Sequence, residues 1–185
     1  MILAIALVLV LLSILILSQR SCCTFTTAFK SIHDALSLGV ATNNSTTCIP
    51  AMVDGLVNRL KFSRSRVELL VPLGASLLRT GAIAYFVCAT LFVASLYDRP
   101  LSSSEIFLVV VTSVMSGFAS VGMAGLLTIS MVGTVCNYLG LPFEAAFILF
   151  VAIDPICAMA RTSITVIGAC AAVSLVCAKP KPVFP

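Results

Sequence analysis

Charge is what this 185-residue sequence has least of: seven acidic and eleven basic residues make up 10% of the chain. Soluble domains carry about 25%, so a water-facing surface over the whole molecule is excluded. Histidine occurs once, at His33, which excludes histidine-rich metal sites; beside Asp34 it reads as an interfacial polar residue. The eight cysteines, at 22, 23, 48, 88, 136, 157, 170 and 177, lack both the paired spacing of a zinc site and the secreted setting of a disulfide framework. They lie mostly within apolar runs and read as small buried apolar residues. No nucleophile stands with a base, and no glycine loop with its lysine cradles a phosphate, so nothing points to an enzyme. What remains is 60% hydrophobic residues and a mean hydropathy of +1.16, the composition of an integral membrane protein. The net charge of +4 sits in short segments between apolar runs, where membrane orientation accounts for it better than nucleic acid does.

Length divides the apolar runs. Residues 1–20 open with an uncharged stretch long enough to cross a bilayer; no basic residue precedes it and no small-residue cleavage site follows, so a retained transmembrane helix is expected. Residues 21–65 hold a weakly amphipathic segment around TNNSTTCIP, whose hydroxyl and amide side chains compete for backbone hydrogen bonds and interrupt a helix. A basic connector, RLKFSRSR, closes that segment. Residues 66–97 form a second crossing interrupted by Arg79, with unwinding expected near 76–82. Residues 98–143 contain a polar link and then no charge from Ile106 to Phe143, a stretch too long for one crossing and too short for two. Its middle, SGFASVGMAG, is rich in small residues, and a hairpin that enters and leaves on one side fits the lengths. The segment around TNNSTTCIP has the same plan, and paired interrupted segments point to a transporter's binding site. Residues 144–178 are too long for an upright helix and carry Pro155, a place to bend. Residues 179–185 form a tail. With neither hairpin crossing, most basic residues fall on one side, which the positive-inside rule makes cytoplasmic together with the C-terminus. The expectation is an all-α multi-pass protein of the cell membrane, with two re-entrant helical hairpins whose tips meet near the midplane.

Inside this apolar context Asp154 and Arg161 stand seven residues apart. A charge near a bilayer centre costs about 2.5 to 3.5 kcal/mol on insertion scales, so it persists where it is paired, faces a cavity or binds something. On a helix, Asp154, Ala158, Arg161 and Thr165 share one face, leaving Arg161 among small and hydroxylated neighbours with Thr162 alongside. A guanidinium suits bidentate carboxylate binding; the alternative is an internal Arg161–Asp154 ion pair. The TNNSTTCIP cluster is either a substrate-facing tip or an ordinary loop with sequons at Asn43 and Asn44. The glycines of SGFASVGMAG suit a gate or close helix packing.

TTCIP, VPLGAS at 71–76, ASVGMAGLLT at 119–128, YLGLP at 138–142, and Ile153, Asp154, Arg161 and Thr162 together resemble the dicarboxylate/amino acid:cation symporters, the family of the glutamate transporters. The order helix, hairpin, helix, hairpin, long helix is similar to the second half of that fold. The resemblance implies a secondary transporter of small carboxylates working by alternating access. It also implies a trimer whose scaffold comes from five preceding helices, here expected from a separate chain if the protein is a split member. It puts Ser45 at the first hairpin tip, Val121, Gly122 and Gly125 at the second, and Arg161 and Thr162 on the substrate. Ala158 stands where amino-acid-transporting members have an aspartate for the ammonium group, and Thr165 where they have an asparagine; a C4-dicarboxylate without an amino group is therefore implied. Leu78, Arg79, Thr80, Gly81 and Ala82 replace a sodium-binding stretch, and Ala169 replaces a further sodium-binding aspartate. Sodium coupling is thereby put in question and a proton becomes the alternative, although Ser76 with carbonyls around Met115, Ser116 and Phe118 would suffice for one sodium site. No other cofactor is implied. The competing reading is a non-transporting remnant, or a structural or regulatory membrane subunit that packs with another chain.

Overall fold

A computed structural model describes residues 2–21, 24–120, 123 and 125–177. Among the described residues there are α-helices, one short π-helical segment and no strand: α1 (Ile2–Ser21), α2 (Phe25–Thr42), α3 (Ile49–Asp54) running into the π segment Gly55–Arg59, α4 (Arg64–Leu77), α5 (Thr80–Leu96), α6 (Ser103–Ala119), α7 (Leu126–Tyr138) and α8 (Glu144–Val176). Three stretches are long and apolar enough to cross a membrane: Leu3–Ser21, Arg64–Leu96 and Ala146–Val176. Val121, Gly122 and the tail at 179–185 lie outside the described residues.

Local chemistry sets where the helices stop. α2 ends because Asn43 adopts the left-handed conformation, φ 52°, and its N–H closes on the Gly39 carbonyl. α6 begins with a capping box, in which the Ser102 hydroxyl accepts from the Glu105 N–H and the Glu105 carboxylate accepts from the Ser102 N–H. Arg99 fastens the same end of the molecule, donating to Glu105 Oε1 at 3.0 Å and to the Leu139 carbonyl beyond α7 at 2.7 Å. Between α4 and α5 the chain leaves helical geometry at Leu78, ψ 72°, and Arg79, ψ 38°. The break frees carbonyls and N–H groups that a continuous helix would have paired with each other.

Among the described residues two large apolar cores flank one long helix, with a small third cluster of Ala6, Ala160 and Ile164 between α1 and that helix. The first gathers Leu17 of α1, Ile32 of α2, Met52 of α3 and Val71 of α4 against Val166, Ile167 and Cys170 of α8. The second gathers Tyr85 and Phe86 of α5, Val109 of α6 and Val132 of α7 against Ala146, Phe150 and Cys157 of α8. α8 thus serves both, its first half one core and its second half the other. Cys48, Cys88, Cys136, Cys157, Cys170 and Cys177 are all buried, filling space as small apolar side chains do. Large apolar side chains such as Leu7, Leu69, Phe107 and Ile148 point outward, an arrangement that water penalises and hydrocarbon does not. Arg20, closing α1, reaches across to the last turn of α8 and donates to the Leu175 carbonyl at 3.0 Å.

Candidate substrate cavity

The stretch of α8 between its two core-facing halves is where polar residues concentrate. Asp154 (6% exposed), Ala158, Arg161 (9% exposed), Thr162 and Thr165 are all buried. Arg161 Nη1 stands 3.8 Å from Asp154 Oδ1, close enough for Coulomb attraction and too far for a hydrogen bond. Among the described residues both atoms are buried without a hydrogen-bond partner. The guanidinium carbon lies 5.0 Å from the Tyr85 ring centre, over a face whose quadrupole attracts a cation. The internal ion pair is therefore real as a charge contact and incomplete as a bonded one, leaving Arg161 with donors to offer.

Arg161 opens on a small, partly open cavity lined by Asn43, Asn44, Ser45, Arg79, Ala82, Met123, Thr162 and Thr165 as well. Four parts of the chain converge there: the turn after α2, the α4–α5 break, the turn after α6 and the middle of α8. Two glycines make that approach possible. A Cβ on Gly81 would sit 1.9 Å from the Arg161 carbonyl oxygen and 2.6 Å from Thr165 Oγ1, so α5 can start against α8 only with hydrogen at that position. A Cβ on Gly39 would meet Cys48 Sγ and Thr162 Cγ2 at 3.2 Å, which brings α2 down onto the hydroxylated turn of α8. Arg79 bridges two of the four parts, its Nη2 donating to the Ser120 carbonyl after α6 at 2.8 Å. No acidic side chain lines the cavity among the described residues.

Of the residues expected around a substrate, Ser45, Arg161, Thr162 and Thr165 come together here, with Arg79 from the expected ion region. Ala158 is buried, Gly125 adopts φ 58° in open space, and neither lines the cavity. Ser116 is buried on α6, but Met115 and Phe118 point outward. The Ser76 hydroxyl donates to the Pro72 carbonyl in its own helix at 2.8 Å. Thr80 faces α8, its Oγ1 3.1 Å from where a Cβ on Gly168 would stand. Asp154 pairs with Arg161 rather than with Arg79.

The profile of the sodium:dicarboxylate symporter family matches residues 1–179. The chain belongs to that family. It is 33% identical over 143 residues to a proton/sodium-glutamate symport protein of Geobacillus stearothermophilus, which covers 75% of this chain and 32% of the relative. A C4-dicarboxylate transport protein of Brucella anthropi is 28% identical over 139 residues, 75% of this chain and 31% of its own length. Excitatory amino acid transporter 2 of Mus musculus is 29% identical over 142 residues, 76% of this chain and 24% of its own length. The match thus spans about a third or less of these relatives.

Within this family member the cavity includes three residues that single-residue reasoning did not assign a role: Asn43, Asn44 and Met123. The two asparagines were visible as part of a polar cluster closed by Pro50. Met123 gave no signal, because a methionine amid glycine and alanine is what close packing also uses. Ala82 stands one helical turn beyond Arg79, and its small side chain leaves the space that Arg79 borders.

Proposed function

We propose that the chain forms the substrate-binding part of a secondary transporter for small carboxylates, most suited to a C4-dicarboxylate, which works by alternating access of the hairpin-bearing unit. The observation that carries this reading is a lining in which two guanidinium groups and several hydroxyl and amide groups face one cavity and, among the described residues, no carboxylate does. Such a lining attracts an anion and offers an ammonium group no carboxylate to pair with. The family relatives include a protein named for glutamate and one named for C4-dicarboxylates; the missing acid, with Ala158 in place of the family's aspartate, favours the second class. Arg161 is the main anchor, Thr162, Thr165 and Ser45 position the solute, and the helix–turn–helix units α2–α3 and α6–α7 act as re-entrant hairpins closing from opposite sides. Val121 and Gly122, outside the described residues, are proposed to belong to the second tip, with Gly125 beside it as a flexible joint.

Arg79 bears on coupling. Its bond to the Ser120 carbonyl ties the α4–α5 break to the second hairpin, the service a bound cation would perform with helix ends and carbonyls. A tethered cation cannot leave, so movement is sodium-independent exchange or proton-linked. The protein sits in the cell membrane with its C-terminus cytoplasmic, and full transport uses the remaining family helices as scaffold, supplied from the same or another chain.

The test is competition for succinate binding by purified protein in lipid. Arg161→Ala should weaken succinate by at least about 1.5 to 3 kcal/mol, roughly tenfold or more, because a charge-assisted contact in a desolvated site is lost. Succinate and fumarate should compete better than aspartate and glutamate. Unchanged affinity in the variant removes Arg161 from the site, and the reverse order of competitors removes the substrate assignment.

A further inference from the structure

Arg161 and Arg79 face the same cavity but stand in different electrostatic circumstances. Arg161 has Asp154 at 3.8 Å, whereas among the described residues no acidic group lies within ion-pair distance of Arg79. Arg79 uses one donor, Nη2, on the Ser120 carbonyl, and its Nε is buried without a partner. A guanidinium carries five donors in a planar fork, so most of its capacity is unfilled. It also stands immediately before the first turn of α5, where the positive end of a 17-residue helix favours negative charge. The countercharge this cavity lacks is therefore at Arg79 and not at Arg161.

We propose that Arg79 is a second carboxylate anchor: a dicarboxylate spans the cavity with one end on Arg161 and the other on Arg79, which keeps its bond to the Ser120 carbonyl. The inference rests on the reading of the cavity as a carboxylate site. It makes Arg79 the residue that separates dicarboxylates from monocarboxylates, since only a solute with two acid groups reaches both forks. It also links occupancy to the second hairpin, because the guanidinium that takes the carboxylate is the one that holds Ser120.

The experiment compares succinate with monomethyl succinate, which has nearly the same shape and one charge fewer, by calorimetry on the full chain in lipid nanodiscs. Wild type should prefer succinate by about tenfold or more, the worth of one charge-assisted contact. In Arg79→Gln, succinate affinity should fall by about that factor while monomethyl succinate stays within about twofold. An equal fall for both ligands, or no fall for either, makes Arg79 a latch only and overturns the inference. Arg79→Lys keeps the charge and loses the fork, so it serves if the glutamine variant does not fold; it should weaken succinate selectively, and an unchanged preference overturns the inference. Wild type that binds both ligands equally well refutes this assignment alone, while wild type that binds neither removes the carboxylate reading along with it.

Discussion

Tyr85 shows how much a single side chain can be asked to do in this site. It is 1% exposed, its ring lies under the Arg161 guanidinium, and its hydroxyl is buried without a hydrogen-bond partner among the described residues. The ring and the hydroxyl therefore contribute with opposite sign. Removing only the hydroxyl should be neutral or stabilising, since an unsatisfied buried polar group costs about 1 to 3 kcal/mol, and the ring face that attracts the cation is kept. Tyr85→Phe should thus leave the melting temperature in detergent unchanged or raised, whereas Tyr85→Ala should cost about 3 to 5 kcal/mol through the cavity it leaves. A destabilised Tyr85→Phe variant would mean that the hydroxyl has a partner that this arrangement lacks.

At the scale of helices, the close approaches decide the site. Gly81 has a backbone oxygen where its Cβ would be, and a backbone cannot move aside as a flexible side chain can. Gly81→Ala should destabilise the protein by about 1 to 3 kcal/mol or more through overpacking and should weaken succinate binding by displacing Arg79 from Arg161. Gly74 provides the contrast: its nearest neighbours would lie 3.6 Å from a new Cβ, and it is within α4. Gly74→Ala should be neutral or raise stability by up to about 1 kcal/mol, from helix propensity. Thermal unfolding of both variants in the same detergent checks the pair. This contrast also marks what the sequence makes legible. Arg161, Thr162 and Thr165 could be read as one patch because helical spacing places them together and a charge in an apolar run needs a reason. The polar cluster at 42–50 was readable because so many hydrogen-bonding side chains disfavour a continuous helix. The Arg79–Ser120 contact was not, for its acceptor is a main-chain carbonyl 41 residues away, and a carbonyl leaves no mark in residue type. Gly74 and Gly81 look alike in the sequence, seven residues apart, and both face α8; only how closely that helix approaches distinguishes them.

For the molecule as a whole, the cavity lies where the two cores meet along α8, so the chain has a seam as well as a site. Because both cores include α8, the proposed alternating-access movement would carry the cavity and both interiors together as one unit. The proposed role of Arg79 as a tethered cation would make such movement independent of sodium. Uptake into proteoliposomes, with the chain supplemented by any further family helices it requires, should persist when inward sodium is replaced by choline and should collapse in Arg79→Met. Strong sodium dependence in the wild type would reject the tethered cation.

The shared helix has a consequence for how the protein is made. α8 follows every other described helix in the chain, yet both apolar interiors include residues of it. At about 5 to 20 residues per second of synthesis, its 33 residues take seconds to emerge, and through that interval α1 to α7 are in the membrane without the surface that completes them. Nascent chains arrested before Glu144 should remain protease-sensitive and bound to insertion or quality-control machinery. Resistance should arrive in one step for both halves once Val176 has cleared the ribosome. A variant that weakens α8 would therefore be lost at birth, by degradation of an unfinished chain, before its effect on the mature protein could be measured.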